Sequence, residues 1–154
     1  MAYIVRIETA TPRLIAAVRR QVRIGEIAGA WKPALDEVWA FLGRHPGLAG
    51  PNGHNVFLYH HPTRREDPMD IDFGVEVSRP FLGEGAISMV PTPAGEVATT
   101  LHVGPYAQLP EAHRAIHTWC ATNGKRIGGK SWEIYGDWNE DETKLETEVV
   151  YSLA

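Results

Sequence analysis

The residue whose type and setting most invite chemistry is Glu133. It stands in Trp132-Glu133-Ile134-Tyr135, where a carboxylate alternates with aromatic and aliphatic side chains. A carboxylate enclosed by apolar groups either takes up a proton or attracts a cation. Other acids recur at strand spacing, Asp72 with Glu76 and Glu146 with Glu148. On an edge strand such charges keep a sheet soluble. Beside Glu133, Glu76 or Glu148 would instead raise its pKa and permit general acid work. His113 and His117 have the i, i+4 spacing of some zinc sites, but residues 114 to 116 are Arg, Ala and Ile, so no HExxH pattern exists and the pair is expected to face solvent. His60 and His61 are adjacent and would point to opposite faces of a strand. Cys120 falls in an apolar helical stripe, where a thiolate is disfavoured. Gly128-Gly129-Lys130 reads as a turn and lacks the spacing of a phosphate loop. The expectation is no metal and no cofactor.

The chain that must hold these groups has 154 residues, 44% of them hydrophobic and 22% charged. These values fit one soluble globular domain spanning 1–154. No apolar run approaches the roughly 18 residues of a membrane span, and the amino-terminal segment has no secretory pattern. One cysteine excludes an internal disulfide. Together these point to the cytoplasm. A net charge of -4 argues against nucleic acid, which needs a basic surface.

In chain order, residues 3–8 and 14–22 read as strands around a Thr11-Pro12 turn. Residues 25–31 read as a loop. Pro33 then opens a helix at the position where its missing N–H costs nothing, with Leu35, Val38, Trp39 and Leu42 at helical spacing. Strands follow at 55–60 and 70–77, the second with a clean period of two. After a Gly/Pro-rich link at 80–93 come a strand at 96–103 and a helix from Pro110 carrying Ala112, Ala115, Ile116, Trp119 and Cys120. Asn123-Gly124 stops that helix. Strands at 131–135 and 145–153 flank an acidic turn. The order strand, helix, strand, strand thus occurs twice, in about 12–79 and 94–154. A shift of 76 positions lays SWEIYG on NVFLYH and TEVVYSL on IDFGVEV, which places Tyr135 on Tyr59 and Glu133 on Phe57.

The combination GPYAQLPEA, WCATNG, WEIYGDW and LETEVVYSL resembles the GyrI-like small-molecule-binding superfamily, also found as the effector-binding domain of AraC-type and MerR-type multidrug regulators. The resemblance runs from about residue 3 to 153. It implies an α+β fold of two strand-helix-strand-strand units, with an antiparallel sheet of about eight strands, two helices on one side and a ligand cleft on the other. It further implies that Glu133 meets the positive charge of a ligand. Unlike the regulators, this sequence carries no attached DNA-binding segment, so direct DNA contact is not expected.

The residues support that reading in their own right. Alternation puts Trp132 and Ile134 on one face and Glu133 with Tyr135 on the other. With the helix stripe on the first face, Glu133 would point into a space between the units, joined there by Phe57 and Tyr59. Such an aromatic cleft with one acid selects flat, lipophilic cations. Trp31 and Trp138, in loops, would either close over a ligand or cap the core. Trp39 and Trp119 are expected in the core, Tyr106 packs structurally, and the face of Tyr151 is open. Three functions follow: a stand-alone sensor or sequestering protein for lipophilic cations and, as the resemblance implies, either a hydrolase of cyclopropane-bearing electrophiles using Glu133 with Tyr135 or a protein-binding module acting on a partner such as gyrase.

Overall fold

The computed structural model describes residues 2–50 and 53–154. Its elements are β1 (Arg6–Ala10), β2 (Leu14–Val22), α1 (Ile27–Gly43), β3 (Asn55–His60), β4 (Met69–Glu76), β5 (Ile87–Pro91), β6 (Gly95–Val103), α2 (Leu109–Thr122), β7 (Ile127–Tyr135) and β8 (Glu146–Leu153). The eight strands form one sheet in the order β1-β6-β8-β7-β3-β4-β2-β5, and every pairing is antiparallel. The fold is α+β, as expected. β3 and β7 meet at the centre, where Phe57 lies directly opposite Glu133. β1 precedes β2 but pairs with β6, while β5 precedes β6 but pairs with β2. Each half of the sheet therefore receives its edge strand from the segment leading into the other half.

Three elements differ from the sequence reading. β5 lies inside the Gly/Pro-rich link, where five edge residues paired to β2 give too short a pattern to stand out. α1 begins at Ile27, so Trp31 is helical and Pro33 sits inside the helix. Proline there forfeits the bond to the Gly29 carbonyl. The helix is held instead by its buried stripe of Ala34, Leu35, Val38, Phe41 and Leu42. β7 runs back through Gly128-Gly129-Lys130 rather than turning there. Lys130 pairs with His60, and the His61 N–H donates to the Gly129 carbonyl at 2.8 Å.

The two faces of the sheet are built differently. α1 packs on β2 and β4, and α2 packs on β6 and β8. Under α1 lie Ala16, Val18, Phe57, Tyr59, Ile71, Phe73 and Val75, and under α2 lie Ala98, Val149 and Tyr151. The other face carries Ile15, Ala17, Val56, Leu58, Val97, Trp132, Ile134 and Val150, and among the described residues no helix packs over them. The expected assignment of faces is therefore reversed. Trp132 and Ile134 belong to the helix-free face, whereas Glu133 and Tyr135 share the helix side with Phe57 and Tyr59. The reason is spacing: each helix rests on strands flanking the centre, so the two leave a gap over β3 and β7.

Candidate functional site

That gap is a cleft of about 690 Å³. The cleft is thus between the two halves, as expected, but on the helix side of the sheet and not opposite the helices. α1 contributes Trp31 and Trp39, β3 contributes Phe57 and Tyr59, and Tyr106 comes from the turn leading into α2. Tyr135 and Trp138 close the remaining side. The rings interlock. Phe57 meets Phe73 edge-on at 4.9 Å and Tyr135 at 5.0 Å, and Tyr135 meets Tyr106 at 5.5 Å. Trp31 lies 6.3 Å from Phe57. Trp138 is 76% exposed and stands at the mouth, where His54 hydrogen-bonds Asp137 at 3.0 Å. Two expectations change here. Trp39 is 43% exposed, lines the cleft and donates its indole N–H to Asn55 at 3.1 Å, so it is not core. Tyr106 likewise lines the cleft and is not simply packing.

Glu133 lies one layer behind this wall. It is 5% exposed, and the cleft is lined by the two tyrosines that cover it. The Tyr59 and Tyr135 hydroxyls both donate to its Oε1 at 2.6 Å, and His113 Nε2 donates to Oε2 at 2.6 Å. His113 Nδ1 is in turn 2.7 Å from the Tyr151 hydroxyl. Each tyrosine reaches the carboxylate for a different reason: Tyr135 is two residues along β7 on the same face, and Tyr59 lies diagonally across on β3. All atoms of this cluster have partners. Among the described residues, the one buried side-chain polar atom without a partner is Thr147 Oγ1.

The electrostatics follow from these contacts. Burial pushes the Glu133 pKa upward, but the His113 hydrogen bond and charge, aided by the Tyr135 and Tyr59 hydroxyls, outweigh it, and the net shift is downward. Glu133 is a carboxylate at neutral pH. Burial, then the Glu133 charge, push Tyr59 and Tyr135 well above the ordinary phenol value. Tyr151 is pushed up to about 12, chiefly by burial. His61 and His117 are lowered, first by burial and then by the charge of His113.

Of the expected solvent-facing pair, His117 is exposed but His113 is only partly so. His113 binds Glu133, and the His117 ring packs against Tyr151 at 5.0 Å. Sequence reasoning missed this role because both residues flank the Ala112-Ile116-Cys120 stripe, at the edge between buried and wet. The available signal was that edge position, together with a lone strand carboxylate in need of a partner. Tyr151, left open before, faces the helix side with Glu133. The expected partners of a carboxylate pair do not assemble. Glu148 lies opposite Ile134 on the other face, and Glu76 pairs with Arg13 at 3.4 Å. Cys120 is buried and free, as its stripe predicts.

A sheet of this order with two helices astride an aromatic cleft defines a small-molecule-binding module. The signature of the GyrI-like small molecule binding domain matches residues 4–153, and the chain belongs to that family. The crystal structure of the EcmrR C-terminal domain superposes with a TM-score of 0.80 at 24% identity, covering 100% of this chain and 99% of that one. The structure of SAV2435 bound to tetraphenylphosphonium gives 0.68 at 14% identity over 100% of this chain and 94% of the other. A hydrolase from Listeria innocua gives 0.66 at 13% identity over 97% and 91%. At these identities the likeness establishes the fold. Comparison with curated proteins yields no significant match. Among the described residues no helix is long and apolar enough to cross a membrane.

Proposed function

We propose that this domain binds lipophilic cations in the aromatic cleft and serves as a sensing or sequestering module. The observation that carries this reading is the pair of tyrosines in the cleft wall, both hydrogen-bonded to one buried carboxylate behind it. Two phenols that donate to a carboxylate are polarised by it and line the cleft, so the negative charge is felt there without being exposed. Ring faces attract cations. The described lining residues include no Lys or Arg, and Asp137 adds a negative charge at the mouth. The tetraphenylphosphonium held by SAV2435 is a ligand of the chemistry this wall fits.

Titration with tetraphenylphosphonium, followed by quenching of tryptophan fluorescence, tests the reading. Glu133→Gln keeps the volume and removes the charge, and is expected to weaken binding by about tenfold, equivalent to about 1.4 kcal/mol. Equal affinity in both proteins would remove the charge argument. The hydrolase reading draws on the same cleft, but an ionised Glu133 with both oxygens already bonded has no proton to give as a general acid. Incubation with a cyclopropane-bearing electrophile is accordingly expected to yield no hydrolysed product by mass spectrometry.

A further inference from the structure

Glu133 already has a titratable partner in His113. Its Oε2 only accepts, so the 2.6 Å contact fixes a proton on His113 Nε2. The other ring nitrogen, Nδ1, faces the Tyr151 hydroxyl at 2.7 Å, a group that accepts from an imidazolium and donates to a neutral imidazole equally well. His113 can therefore hold or lose its second proton without opening either contact. The titratable groups around it are Glu133 and Tyr135 on β7, Tyr59 on β3, Tyr151 on β8, His117 on α2 and His61 beyond β3. Only Glu133 is an acid. With His113 charged the cluster is neutral, and a ligand cation in the adjoining cleft would leave it with a net positive charge in a poorly solvated place.

We infer that His113 is the resident counter-cation of Glu133 and that a cationic ligand binds by exchange, its charge replacing the proton of His113. This rests on the cleft reading above. The balance is simple: one ligand cation enters, the imidazolium loses the proton on Nδ1, one proton appears in solution, and no other bond changes. Burial first, and then the charge of His113, lowers the pKa values of its neighbours His61 and His117. On the far side of Tyr151 the exposed His61 stacks on its ring with centroids 6.0 Å apart, and His61 Nε2 lies 2.6 Å from the Ser131 hydroxyl.

The test is calorimetry of tetraphenylphosphonium binding between about pH 5 and 9, in pairs of buffers differing in ionisation enthalpy. In the acid limb the wild type is expected to gain affinity by up to about tenfold per pH unit and to release close to one proton per ligand. The uncharged triphenylphosphine oxide is expected to bind, if more weakly, without proton release. His113→Gln, whose amide can still donate to Glu133, is expected to bind the cation with flat pH dependence. Binding of tetraphenylphosphonium at constant affinity with no proton released would overturn the exchange and leave the cleft reading standing. A His113→Gln protein that keeps the wild-type pH profile would also overturn it. No binding at any pH would overturn both readings. Should that variant not fold, the His113 ring protons of the wild type, followed by NMR with and without ligand, decide the same point.

Discussion

Phe57 and Glu133 occupy matching places in the two halves of the sheet and face each other across its centre. Their surroundings could hardly differ more. Phe57 packs edge-on against Phe73 beneath α1 and needs no partner beyond apolar contact. Glu133 requires three donors drawn from β3, β7 and α2. An apolar side chain is satisfied by any close neighbour, whereas a buried carboxylate is tolerated only when its acceptors are all engaged. One position of the scaffold thus anchors a core, and its counterpart holds a charge behind a cleft.

The largest expected effect comes from erasing this difference in the wrong direction. Phe57→Glu would set a second carboxylate against Glu133 with no donor in reach, and a loss of roughly 4 kcal/mol or more is expected in urea unfolding. Glu133→Leu, which copies the apolar half, should cost roughly 3–5 kcal/mol by stranding the His113 imidazole and two phenols. Adding His113→Leu should recover part of that loss, because an unpaired imidazole is worse than none. A double variant no more stable than the single one would show that His113 is not the stranded partner. Tyr59→Phe removes one of three donors and is expected to cost about 1.5–3 kcal/mol, the range for hydrogen bonds to charged groups.

The smallest effects concern pH. Glu133 and Asp72 have depressed pKa values in the folded state, so the stability they contribute is present at neutral pH and lost as pH falls through the acid range. His61 and His117 are also depressed. The unfolded chain takes up their protons first, and stability declines as pH drops below about 6.5. Tyr59, Tyr135 and Tyr151 are raised, so their contribution is complete below about pH 10 and lost above it. Thermal melts at stepped pH should show both limbs, and the acid limb should be shallower in the Glu133→Leu, His113→Leu protein. An unchanged acid limb would place the titrating groups elsewhere.

Most of the fold was legible from local patterns. β3, β4, β6 and β8 announced themselves by alternation within a residue or two, and α2 by its stripe and its Asn123-Gly124 end. β5 did not, since a short edge strand among prolines and glycines has little pattern of its own. Pro33 misled the placement of α1 because proline marks a first turn far more often than a helix interior. That displaced Trp31 from a helix into a loop.

For the site, the sequence by itself determined that Glu133 and Tyr135 share a face and that Phe57 and Tyr59 join them, because strand periodicity and the 76-residue offset are written in the chain. Only the tertiary structure decided which face the helices cover, that Trp39 and Tyr106 line the cleft, and that His113 closes on Glu133 from behind. Alternation divides residues into two sets but does not say which set a helix will lie on. That choice is made where α1 and α2 settle on the flanking strands and leave the centre open, and from there His113 reaches a carboxylate twenty residues away in sequence.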